Sequence, residues 1–94
     1  MAKYSIDYTD EALDDIAKLK KTGDKSVLVK LNKLIDELFE EPRTGTGHPE
    51  RLKGYSGRER WSRRINKYHR LVYDIKDDVI LVLIISAYGH YDDN

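Results

Sequence analysis

Apolar and polar positions alternate from Lys3 to Tyr8, with Tyr4, Ile6 and Tyr8 set against Ser5 and Asp7, which is the period of a half-covered strand. At Thr9 the period lengthens. Ala12, Leu13, Ile16, Ala17 and Leu19 form a helical stripe, with Thr9 as its N-cap, Asp10 and Glu11 at its positive end and Gly23 as its stop. Asp24 caps a second helix, in which Val27, Leu28, Leu31, Leu34, Ile35, Leu38 and Phe39 keep the helical spacing until Pro42 ends it.

Residues 43–50, RTGTGHPE, are a Gly- and Pro-bearing loop. Its two glycines do not make a phosphate cradle, because no strand precedes them and no helical pattern follows. Beyond the loop the period returns to two. Arg51 to Gly54 predicts a short strand, Arg60 to Ile65 and His69 to Ile75 two longer ones, and the apolar run Val79 to Ala87 a central strand covered on both faces. Asn66-Lys67 and Asp77-Asp78 mark the hairpin turns. The order strand, helix, helix, strands predicts an α+β fold, two N-terminal helices packed on an antiparallel four- to five-stranded sheet.

The 94 residues make one domain, 1–94, with one core. Cysteine is absent, so disulfide frames and thiolate zinc sites are excluded, and no apolar run is long enough to span a bilayer, which points to the cytoplasm and away from membranes. The zero net charge hides a division. From Arg43 to Arg70 there are nine cations against two acids, a net of +7, while the remainder carries −7. Such asymmetry suits a polyanion on the basic part, the alternative being a solvated surface neutralised by the acidic helices.

The second hairpin gives those cations a geometry. If Asn66 to Tyr68 form the turn, Arg64 lies directly opposite Arg70 and on the same face; a two-residue turn would pair Arg63 with Arg70 instead. Two adjacent arginines repel unless an anion lies between them, and phosphate is the obvious one, with edge charges that deter strand aggregation as the alternative. Glu50 stands at the end of the loop, one of only two acids in the basic segment, where a salt-bridge role competes with that of a base. His48, His69 and His90 are too scattered for a metal site. His69 reads as structural; His90 follows the most buried strand and stands beside Tyr91.

Four motifs in order, GHPERLK (47–53), WSRRI (61–65), HRLVY (69–73) and the terminal HY (90–91), with the DEALDDI opening of the first helix, resemble the YoeB (Txe) branch of the RelE superfamily of toxins. The resemblance implies an endoribonuclease that cuts mRNA in the ribosomal A site, needs no metal or cofactor, and is neutralised by a cognate antitoxin of the YefM/Phd-like kind. It implies Glu50 as general base, His90 as general acid, Arg64 and Arg70 on the scissile phosphate, and Tyr91 against a base. Lys53, Arg51, Arg63 and Arg60 are carried along as RNA contacts, with mRNA and the ribosome as partners and a homodimer, in contact near Trp61, as a further assembly. That chemistry suits RNA, whose own 2′-hydroxyl supplies the nucleophile, with products of a 2′,3′-cyclic phosphate and a 5′-hydroxyl. Two readings of other classes compete: a ParE-like gyrase inhibitor, which has no chemical need of Glu50 or of His90-Tyr91, and a passive RNA-binding module.

Overall fold

The computed structural model describes residues 3–89. The elements follow in the order β1 (Ser5–Tyr8), α1 (Asp10–Lys21), α2 (Lys25–Leu38), β2 (Glu50–Arg51), β3 (Glu59–Arg64), β4 (Arg70–Lys76) and β5 (Leu81–Ser86). One five-stranded sheet has the spatial order β1-β5-β4-β3-β2. Four strands are antiparallel, as expected, but β1 joins β5 in parallel, with Ser5 opposite Leu81 and Tyr8 opposite Ile84. The sheet is therefore mixed. Its first strand is held by backbone bonds from Ser5 to Ile80 and from Thr9 to Ile84, while Lys3 and Tyr4 donate to the Phe39 carbonyl at the end of α2.

Both helix starts are built as the sequence requires. Thr9 Oγ1 accepts from Ala12 N at 3.0 Å, and Asp24 Oδ1 accepts from Ser26 N and Val27 N. The inner faces of α1 and α2 put Ala12, Leu19, Val27, Leu31, Leu34 and Leu38 against Leu71, Tyr73, Ile75, Val82 and Ile84 of the sheet. Leu13 and Ala17, expected in the stripe of α1, face outwards, and the buried position between Ala12 and Leu19 is taken by an aspartate, Asp15.

Because both helices lie on one side, β5 is not covered equally on both faces: Val82, Ile84 and Ser86 are buried while Leu81, Leu83 and Ile85 are half-buried. Its start also lies later than expected. Asp77–Val79 form a turn of 3-10 helix, and Ile80 takes a left-handed conformation (φ 51°) that leaves it and Val79 exposed. The β3–β4 turn has three residues, with Asn66 Oδ1 accepting from the backbone N–H of Tyr68 and His69, so Arg64 is paired with Arg70.

Candidate active site

Directly opposed residues share a face, and the register carries Glu50 across to Ser62 and Ser62 across to Val72, with Arg64 opposite Arg70. Glu50, Ser62, Arg64 and Arg70 thus lie on the face turned away from the helices, since Leu71, Tyr73 and Ile75, of the other parity, make the core. Three strands bring one carboxylate and two guanidinium groups together. The Glu50 carboxylate is 3.9 Å from Arg70 Nη1, a loose ion pair in which the Glu50 side chain keeps 64% of its surface exposed. Arg64 is exposed and Arg70 half-buried. Arg51 and Lys53 are exposed too, and with Leu52, Tyr55 and Arg58 they line an open groove of about 500 Å³ beside this face.

Arg63 lies on the opposite, core face, and Arg60, which shares the parity of Ser62 and Arg64, is covered on the outer one. Arg60 is buried, gripping Asp74 with two bonds of 2.6 and 3.0 Å beneath the ring of Tyr55. Arg63 has no exposed surface, and all five of its N–H groups are used inside the protein. Nε donates to Tyr73 Oη, Nη1 to Glu37 Oε1 and the Thr46 carbonyl, and Nη2 to the carbonyls of Glu41 and Thr44. Tyr73 in turn donates to the Pro42 carbonyl. The expectation that Arg63 contacts RNA is corrected accordingly: a fully desolvated guanidinium cannot reach a phosphate, and this one ties the loop before Glu50 to α2 and the core, while Arg60 is committed to Asp74.

The loop is held from α2 as well. Glu37 accepts from Thr46 N at 2.8 Å and from its hydroxyl at 2.7 Å. Partial burial alone would raise the Glu37 carboxyl, but its bonds to Thr46 and Arg63 outweigh that and hold it below the usual glutamate value. A depressed carboxyl contributes stability above its unfolded value and loses it as the pH falls. Thermal stability is therefore expected to drop as the pH is lowered below about 4.5, the ordinary glutamate value, and Glu37→Gln should flatten that drop; an unchanged melting profile for the variant would refute this role.

Gly47 closes the loop against β3. Its carbonyl accepts from Arg64 N at 2.7 Å, and its φ of 86° is one that side chains rarely adopt. A Cβ there would stand 2.8 Å from the Arg64 carbonyl oxygen, which backbone cannot yield cheaply. Gly47→Ala should cost about 1–3 kcal/mol, read as a lower denaturant midpoint, and should displace Glu50 from its arginines. At the start of the loop Arg43 bonds Glu59 twice, Asp77 and the Tyr4 hydroxyl, and Trp61 Nε1 donates to the same Glu59. Trp61 is thereby engaged within the chain and packs partly against the core.

His90 and Tyr91 lie outside the described residues, although the chain leading to them is held firmly. Gly89 N donates to His69 Nδ1 at 2.8 Å, its carbonyl accepts from Arg70 N, and Asp15 Oδ2 accepts from Ala87 N and Tyr88 N. His69 and Asp15 went unrecognised as parts of a site from sequence. The signal for Asp15 was a carboxylate standing at an inward position of an amphipathic helix. Among the described residues no cluster of three or more His, Cys, Asp or Glu side chains is gathered to hold a metal, and no helix is long and apolar enough to cross a membrane.

A mixed five-stranded sheet with two helices on one face is a fold shared with small toxins of toxin-antitoxin modules. Residues 8–91 match the family model described as the YoeB-like toxin of bacterial type II toxin-antitoxin systems, and the chain belongs to that family. A YoeB toxin from Synechocystis is 49% identical over 73 residues, 73% of this chain and 77% of that protein. Among solved structures, a YoeB/ParE toxin from Agrobacterium tumefaciens superposes with a TM-score of 0.81 at 34% identity, covering 93% of this chain and 99% of that one. A YoeB dimer from Staphylococcus aureus gives 0.77 at 34% identity, with 96% and 100% covered. A heterotetrameric YoeB-YefM toxin-antitoxin complex from the same organism gives 0.71 at 35% identity over the same shares.

Proposed function

We propose that this toxin is a ribosome-dependent endoribonuclease that cuts mRNA in the A site. The observation that carries the reading is the approach of Glu50 to within 3.9 Å of Arg70, on a sheet face where Arg64 is Arg70's direct neighbour. Glu50 takes the proton of the ribose 2′-hydroxyl, the freed oxygen attacks the adjacent phosphorus, and the bond from phosphorus to the 5′-oxygen breaks. His90, as imidazolium, protonates that leaving oxygen. Arg64 and Arg70 donate to the non-bridging oxygens as their charge grows. The groove lined by Arg51, Lys53 and Tyr55 suits the neighbouring nucleotides, with cations for phosphate and a ring for stacking. The products are a 2′,3′-cyclic phosphate and a 5′-hydroxyl, formed in the cytoplasm, where ribosomes are.

The same basic face suits an acidic antitoxin segment of the YefM kind, and a homodimer is a reasonable assembly given the dimeric relative. Primer extension on a defined mRNA in a reconstituted translation system tests the reading, with and without ribosomes, for wild type and His90→Ala. A new end within the A-site codon that needs ribosomes and is lost in the variant supports it. An intact mRNA with folded wild-type protein refutes it and favours a toxin that acts by binding alone.

A further inference from the structure

After Ser86 the last strand ends, yet the next three residues are fixed at four backbone points by α1 and by the β3–β4 hairpin. Asp15, on α1, is 6% exposed, and one of its oxygens takes both the Ala87 and Tyr88 N–H groups at 3.0 and 3.3 Å. His69, before β4, accepts from Gly89 N, and the next residue, Arg70, donates its own backbone N–H to the Gly89 carbonyl at 2.8 Å. The His69 ring also lies 4.6 Å from that of Tyr88, and Lys18 Nζ stands over the same Tyr88 ring, 5.2 Å from its centre. A buried carboxylate is costly unless it is fully bonded, and here its bonds go to one short stretch of chain. Because Nδ1 is an acceptor, the proton of this imidazole is on Nε2.

We propose that His69, as a neutral imidazole, and Asp15 are positioning residues that clamp Ala87–Gly89, the segment from which His90 and Tyr91 follow, against Arg70. The inference rests on the nuclease reading and adds to it how the terminal acid is aimed. The clamp takes its second anchor from the Arg70 peptide, so the group that holds the phosphate and the chain that carries the acid share one residue. Misplacement of a reacting group by about 1 Å costs roughly 100-fold in rate, and a segment beyond the last strand has no ladder of its own to prevent it.

The test compares wild type, His69→Leu, which removes the acceptor but keeps bulk, and His69→Asn, whose Oδ1 stands near the position of Nδ1. His69→Leu is expected to lower single-turnover cleavage on programmed ribosomes roughly 10- to 100-fold while its melting temperature and ribosome binding change little, and His69→Asn should recover most of the loss. Exchange of the Gly89 amide should quicken in His69→Leu and slow again in His69→Asn. Wild-type cleavage by His69→Leu, or failure of His69→Asn to rescue, overturns the proposal. If wild type itself does not cleave, the nuclease reading falls, and the amide still judges the clamp: equal protection of Gly89 in wild type and His69→Leu overturns it.

Discussion

Glu50→Gln should lower the cleavage rate by about 10²- to 10⁴-fold, the range that a positioned base supplies, while leaving the fold untouched. The side chain is mostly exposed and its ionic contact among the described residues is a loose 3.9 Å approach to Arg70, so stability should stay within about 0.5 kcal/mol. Glutamine keeps the shape and the acceptor oxygen but cannot take the 2′-hydroxyl proton. Cleavage assays on programmed ribosomes beside a urea melt give both numbers from one preparation. A variant that still cuts at the wild-type rate would make Glu50 a mere partner of Arg70 and would leave the reaction without a base.

Arg63→Ala is expected to do the reverse, with damage to stability first and to activity as a consequence. It removes a guanidinium with no exposed surface, and it takes one bond each from Glu37, the Tyr73 hydroxyl and the carbonyls of Glu41, Thr44 and Thr46. Breaking a buried pair from one side costs about 3–5 kcal/mol, a large part of the roughly 5–15 kcal/mol that holds a domain together. Arg63→Lys should rescue little, because an ammonium offers three donors where five are used. The denaturant midpoint is the readout, and a midpoint close to wild type for Arg63→Ala would show that the loop is held by other means.

The contrast between Arg63 and Arg64 marks where sequence reasoning reached its limit. Adjacent strand residues point to opposite faces, and the clue to which one is buried was present: Arg63 has Trp61 and Ile65 two positions away on either side, the parity of the core face. Counting cations hid that clue, since charge is summed without regard to direction. Caps and turns were legible because their chemistry is local; Thr9, Asp24 and Asn66 each bond within three residues. The parallel seating of β1 was not, because its partner is β5, at the other end of the described chain, and no neighbouring residue encodes that choice. The family motifs pointed to Glu50, Arg64 and Arg70 together, but not to the devices around them, the Glu37–Arg63 pair that holds the loop before Glu50 and the buried Asp15 that holds Ala87 and Tyr88, which only packing reveals.

That seating of β1 bears on how such a molecule can be made. The pairing of Ser5–Tyr8 with Leu81–Ile84 cannot form until residues of the last strand have left the ribosome that is synthesising them. Long-range pairing of this kind pays its loop-closure entropy late, so the nascent chain lacks β5, the strand that joins β1 to β4, for most of its synthesis. A half-made chain is consequently an unfinished sheet, in which β1 has no strand to join until β5 has been made.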